Sequence, residues 1–540
     1  MPSRVAIGDL DGLTGRAESL AAAWSVPAGA ATSVGQERAI LRLFGVSGLD
    51  RTGRPLAGEV VDRYLAPDPG RLAAGIALPF AMGLLEYDLA PQELALEVAG
   101  GTVDLGAEAE LLATSDRRAV AEAELERLIR SALDRIDANR VARRELVDLL
   151  GESPMPWLGT TLQEPALADA LDEAADGVAA GLDLLRVPIP VGRELADRLA
   201  DAGLEIDSWR PRPRSARRGR ELDALDEIPT GSQRALAVLR RATDEAAASR
   251  RSYVRLGTEA PALAAPEQAV VAAFERIDAV FADAMAEIVG GRIDPDRALA
   301  DHAFAHRLLA RAGTVVVLGA GPLVVAPDLE SGVPSDPAMR AGRAVALQVL
   351  AVALARRDGL DPERIVVGAL PDWAAGEPGG VAQAAGEVAL RRVLFPDHAL
   401  AFIEPAGEER AGADERTGAR WAALVGALLP HIGEVGVVLR RAGPGLARRA
   451  LATRMAAEVS EGLMGSREAG PLSGEAAEHA ARAAAVAERT LAELSTEGWR
   501  AVLGSAVQRD RGHRLGADAV TERTTPFDLF ATTSQAPGRR

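Results

Sequence analysis

The residues that could do chemistry in this chain are few, and their types limit the reactions open to it. There is no cysteine, so thiolate nucleophiles, disulfides, iron–sulfur ligation and Cys-rich zinc sites are excluded. There is also no lysine: every member of the Lys+Arg total of 61 is arginine, so no Schiff base with pyridoxal phosphate can form on this chain. His302 and His306 stand four residues apart with Asp301 beside them, a spacing that puts both imidazoles on one helix face within reach of one metal ion. No H-E-x-x-H pattern surrounds them and a third ligand is not evident, so a surface or packing role is expected.

Two stretches suggest anion binding, and each has a plainer reading. Val317 to Pro322 reads V-L-G-A-G-P, a Gly-rich turn whose backbone N–H groups could meet a phosphate; the third Gly of the dinucleotide fingerprint is missing and Pro322 lacks a donor, which favours a tight turn. Arg210 to Arg220 is the densest positive charge in an otherwise acidic chain, fit to grip phosphates or an acidic partner, or to lie as a solvated loop held extended by Pro. A further set, Arg255, Glu259, Asp278, Asp283, Glu404, Arg440 and Arg441, falls at or just beyond apolar runs, where carboxylates and guanidiniums could serve acid/base or anion-binding roles.

Elements must position these groups, and the sequence alternates the two kinds. Eight short apolar runs (Trp157 to Leu162, Leu182 to Ile189, Ser252 to Leu256, Ile277 to Phe281, Thr314 to Leu318, Arg364 to Ala369, Leu400 to Ile403 and Val435 to Leu439) are separated by helical stretches such as Pro165 to Ala180, Asp336 to Arg357 and Gly379 to Val393. Runs without polar alternation are what a parallel sheet buried on both faces requires, and eight of them predict closure into a (β/α)8 TIM-type barrel, with an open doubly wound sheet as the other architecture. The fourth run could equally continue the helix that begins near Pro266. In a barrel, the groups that matter sit at the C-terminal ends of the strands, and the strand-end residues are expected at that mouth.

Helical patterns precede and follow the runs, at Glu37 to Phe44, Pro91 to Val98, Asp116 to Leu150 and Leu446 to Val507. The division expected is a helical region at 1–150, the barrel at 151–445, and C-terminal helices with a polar tail at 446–540. A formal charge of −17 argues against nucleic acid as a partner. The opening residues offer no apolar leader and no later run looks fit to span a bilayer, so a cytoplasmic protein free of membrane is expected.

Particular words then narrow the reading. E-R-A-I-L-R-L-F-G-V-S-G-L-D at Glu37 to Asp50, P-L-A-G-E-V-V-D at Pro55 to Asp62 and A-P-Q-E-L-A-L-E-V-A-G-G-T-V-D-L at Ala90 to Leu105 are followed in order by Asn139-Arg140, Gly181 with Asp183, Y-V-R-L at Tyr253, Pro266-Glu267, E-R-I-D at Glu275, Asp301 with Phe304, L-F-P at Leu394 and Pro526-Phe527. From end to end the chain resembles the α-subunit family of lysine 5,6-aminomutase. The resemblance implies a TIM barrel that caps adenosylcobalamin and pairs, as a hetero-oligomer, with a β-type subunit carrying the cobalamin domain and the lysine that holds pyridoxal phosphate. A chain without lysine, and without an Asp-x-His-x-x-Gly cobalamin-ligating pattern, suits that division of labour.

Matched residue by residue, the resemblance also implies losses at the mouth. The family's phosphate-binding Arg falls on Ile189 and its Ser on Glu194, beside Arg193; an aromatic and a hydroxyl fall on Glu259 and Pro261; a Tyr and an Arg fall on Ala286 and Gly291, with Arg292 one step away; an Asp and an Asn fall on Gly321 and Pro322, so that Arg193, Glu194 and Arg292 join the candidates expected at the mouth. Each lost charged hydrogen bond costs about 1.5–3 kcal/mol. The expectation is therefore a homologue whose parent amino migration and use of pyridoxal phosphate are lost or altered, or else an adenosylcobalamin-dependent isomerase acting on a different, anionic small molecule.

Overall fold

The structure, a computed structural model, describes residues 10–51, 53–112, 115–153, 156–162, 167–187, 228–260, 263–291, 293–319, 336–369, 380–403, 435–441, 455, 474–499, 520–524 and 529. Eight strands form one closed sheet: β1 (Trp157–Thr161), β2 (Leu184–Val187), β3 (Arg255–Glu259), β4 (Ala279–Phe281), β5 (Val315–Leu318), β6 (Ile365–Gly368), β7 (Ala399–Ile403) and β8 (Val435–Arg441). Each pairs in parallel with the next, and β8 returns to β1 with Thr161 opposite Arg441, which closes the barrel and excludes the open sheet. Parallel pairing needs a long crossover between strands, and the helices that supply it cover the outer wall. That is why the runs are continuous Val, Leu and Ile.

The lumen is a packed core. Trp157, Leu184, Phe281, Val317, Ile403 and Leu439 belong to one buried cluster inside the sheet. Gly159 and Gly257 hold positions where a Cβ would lie 2.6 Å from the Leu184 carbonyl oxygen and 3.3 Å from Phe281 Cε2, so a larger residue would strain the neighbouring strand's backbone at the first and crowd the aromatic ring at the second.

The third strand is shifted from its expected span and the fourth settles an open alternative. The third starts at Arg255 and runs to Glu259, because Ser252 to Val254 approach from below, with the Tyr253 N–H bonded to the Gly151 carbonyl at 3.1 Å. The fourth is a strand in its own right: helix Ala265–Phe274 ends, and the chain reverses through Arg276 at φ 54° before entering β4.

The N-terminal helices are tied to the barrel by buried polar contacts. Glu37, in helix Val34–Leu43, accepts from Thr32 Oγ1 at 2.5 Å, the Ile76 N–H at 2.6 Å and Arg523 at 3.0 Å, while Arg42 pairs with Glu267 of helix Ala265–Phe274 at 2.5 Å. From helix Ser115–Leu150, Asn139 donates to the Ala273 and Phe274 carbonyls at 2.9 and 2.8 Å, and Arg143 donates to the Ile277 carbonyl at 2.6 Å. A two-stranded antiparallel ribbon pairs Ala31–Ser33 with Val520–Glu522. Helix Pro337–Arg357 passes a test of length and composition for crossing a bilayer, but it carries Arg340, Arg343, Arg356 and Arg357 and is mostly buried, packed against helices Leu10–Ala30 and Gly474–Glu497.

Candidate functional site

The mouth of the barrel is built from the last residues of its strands. Arg186 on β2 stands two residues above Leu184, so the alternation of the strand points it into the lumen on top of the apolar plug. Its guanidinium lies over the Phe281 ring, 4.5 Å from the centroid, and pairs through Nη2 with Glu259 at the end of β3. Nη1 reaches the Thr161 hydroxyl at 3.4 Å, and Nε is buried without a hydrogen-bond partner. The Arg186 side chain is 16% exposed and Glu259 25%, so the pair is neither solvated nor sealed. Burial pulls the Arg186 pKa down to about 10, which leaves it a cation at neutral pH.

Asp283, just beyond β4, is at the same end but is committed to the backbone. Its Oδ1 accepts from the Met285 N–H at 2.8 Å, starting helix Ala284–Gly291, and its Oδ2 accepts from the Gly319 N–H at 2.7 Å beyond β5. Gly319 adopts φ 66°, a left-handed backbone that glycine favours; Ala320 to Pro322, the rest of the expected turn, lie outside the described residues. Gln348 closes the same corner, donating to the Gly368 carbonyl at 2.7 Å, and is itself held by Arg391 Nε at 2.8 Å.

Arg255 and Asp278 are not at the mouth. Both sit at the N-terminal foot, because β3 begins at Arg255 and β4 begins after Asp278. Arg255 stacks on Trp157 with its guanidinium carbon 3.8 Å from the ring centroid and pairs with Glu152 at 2.8 Å. Asp278 accepts from the Leu256 N–H, from Arg240 and from the Tyr253 hydroxyl, each at 2.8 Å, and faces Arg143 at 3.0 Å. Burial alone would raise its pKa, but the Arg240 and Arg143 guanidiniums outweigh it and hold the carboxyl below the usual range. These are groups that hold the foot of the barrel together.

The remaining candidates divide by what is described. The register sets Arg440 opposite Thr160 and Arg441 opposite Thr161 at the mouth end of β8. Arg193, Glu194, Arg292, Glu404 and the whole of Arg210 to Arg220 lie outside the described residues. His302 and His306 are buried on helix Pro295–Ala312, the first 3.0 Å from Glu287 and the second 2.8 Å from Asp358. Burial works against a charge on His302, yet the Glu287 carboxylate outweighs it and raises the imidazole pKa. Among the described residues no group of three His, Asp or Glu is placed to hold a metal ion. Arg186 was not singled out by sequence reading, although the two-residue step from Leu184 would have placed it in the lumen.

A closed eight-stranded parallel barrel with a charged pair at its C-terminal mouth defines a TIM-barrel protein of the kind whose ligands enter at that end. The family model described as the D-lysine 5,6-aminomutase TIM-barrel domain of the alpha subunit matches residues 14–202 and 230–411, and the chain belongs to that family. It is similar to the lysine 5,6-aminomutase alpha subunit of Fusobacterium nucleatum, 25% identical over 390 residues, which cover 72% of this chain and 69% of the relative. It is also similar to the alpha subunit of Acetoanaerobium sticklandii, 23% identical over 385 residues, 69% of this chain and 66% of the relative. It is thus a divergent homologue. A solved dihydropteroate synthase from Anaplasma phagocytophilum aligns over 57% of this chain and all of its own, with 14% identity and a TM-score of 0.33, too slight a likeness to carry weight.

Proposed function

We propose that the chain is an α-type barrel subunit that keeps the framework for pairing with a cobalamin-domain β-type subunit but no longer performs the parent 5,6-amino migration. The observation that carries this reading is the Arg186–Glu259 pair. The words that give the chain its family resemblance are framework contacts: Glu37 and Arg42, Glu267, Asn139 and Asp278 all bind one element to another. At the mouth, by contrast, a carboxylate stands where the family resemblance implies an aromatic, and it neutralises the guanidinium beside it.

Pyridoxal phosphate does not fit the described donor set. Its phosphate dianion needs several unneutralised donors. Among the described side chains Arg186 is already paired with Glu259, and the second mouth carboxylate, Asp283, faces backbone N–H groups. No catalytic step is therefore assigned to that cofactor here. Adenosylcobalamin, if bound, would be supplied by the partner subunit, and this barrel would close over it.

The test is co-expression with a cobalamin-domain β-type subunit. Co-elution as one complex in gel filtration is expected, without conversion of D-lysine or β-lysine; separate elution would refute the pairing. A second reading, an active adenosylcobalamin-linked isomerase on a different small molecule, is favoured by the buried, unpartnered Nε–H of Arg186 in the mouth.

A further inference from the structure

The guanidinium of Arg186 presents a two-pronged edge, Nε–H and Nη2–H, of the shape that a planar carboxylate takes with both oxygens. Glu259 occupies one prong only: its Oε1 pairs with Nη2, while Nε is buried with no acceptor. A buried donor without an acceptor is costly, and a bidentate acceptor would remove that cost. Beneath the edge lies the Phe281 ring, which keeps the guanidinium plane fixed, and beside it the Thr161 hydroxyl. Glu259 stands at the end of its strand and is the more exposed of the pair.

We propose that Arg186 is a receptor for the carboxylate of a small molecule entering the barrel mouth, and that Glu259 is a resident counter-ion which the ligand displaces. Exchange of one carboxylate for another leaves the charge on the guanidinium edge balanced. A phosphate dianion would add a second negative charge next to the displaced Glu259, so the mouth selects monocarboxylates over phosphates. The displaced Glu259 then faces the ligand and favours one that carries a donor or a positive charge a few ångströms from its carboxylate. This assigns a ligand class to the altered mouth described above and rests on that reading.

The experiment is isothermal titration calorimetry on the full chain alone, with acetate, propionate and butyrate as probes and inorganic phosphate for comparison. Expected is saturable binding of at least one monocarboxylate. That binding should weaken at least tenfold in Arg186→Lys, which keeps the charge but loses the fork, and tighten at least tenfold in Glu259→Gln, which removes the competing charge. Phosphate should bind wild type no more tightly than it binds Arg186→Lys. Equal carboxylate affinity in wild type and Arg186→Lys, or no binding to either wild type or Glu259→Gln, would overturn the proposal. Should Arg186→Lys not fold, the double variant Arg186→Met with Glu259→Leu removes both charges together and must show the same loss. Since no partner subunit is present, failure here leaves the pairing with a β-type subunit standing, and failure to pair leaves this titration intact.

Discussion

The guanidinium carbon of Arg255 lies 3.8 Å from the centroid of the Trp157 ring, joining β3 to β1 at the foot of the barrel. A cation desolvated against an indole face is worth about 2 kcal/mol, and the arginine stem adds packing. Arg255→Ala is expected to lower the free energy of unfolding by about 2–3 kcal/mol, read as a shift in the urea midpoint, with carboxylate binding at the mouth unchanged. Loss of ligand binding in a variant of full stability would instead put Arg255 in the site.

Asp278 is a stronger case of the same kind. Asp278→Asn removes the buried counter-ion of Arg143 and one of the two carboxylates that hold Arg240, which keeps Asp244 at 2.8 Å, and removing one partner of such a group costs about 3 kcal/mol. Because the folded carboxyl titrates below its ordinary value, its contribution is present above the ordinary carboxylate pKa and is lost as pH falls through the folded value. Acid unfolding curves should therefore be less steep in Asp278→Asn than in wild type.

His398, before β7, works in the opposite sense. Burial lowers its pKa, helped by Arg356, and both ring nitrogens are buried without a hydrogen-bond partner. The unfolded chain then takes up the proton more readily than the folded one, so stability falls as pH drops below the ordinary histidine value of 6.5. His398→Gln should flatten the stability profile between about pH 7 and 5, since the window is set by the unfolded histidine pKa. An unchanged slope would show that other groups produce it.

Gly319 is held at φ 66°, and a Cβ there would sit 2.4 Å from Gln348 Nε2. Gly319→Ala combines backbone strain with displacement of the Gln348 hydrogen bond to the Gly368 carbonyl, and should cost about 2 kcal/mol in thermal or urea unfolding. A neutral substitution would mean that this corner of the mouth adjusts freely.

The eight strands are legible in the sequence because both faces of each are buried, so apolar content alone marks them between amphipathic helices. What is not legible is which end of a run a polar residue occupies. Arg255 and Asp278 border apolar runs just as Glu259 and Asp283 do, and the length of one short strand between them decides between the foot and the mouth. Arg186 escapes notice for a different reason: it stands inside the run L-D-L-L-R-V, where only the two-residue alternation from Leu184 reveals that it enters the lumen. Its pairing with Glu259, 73 residues later in the numbering, is a product of barrel closure. The contacts of Glu37 and Arg42 likewise join helices distant in sequence, and the words containing them announce the family without announcing their partners.

The claim that the framework persists while the parent chemistry does not is tested most directly by turnover. The purified complex of this chain with a cobalamin-domain β-type subunit, supplied with adenosylcobalamin and pyridoxal phosphate under anaerobic conditions, is given D-lysine or β-lysine, and the amino-migration product is followed by mass spectrometry against an assay lacking this chain. No product above that background is expected. Product formed at a rate that depends on this chain would contradict the account.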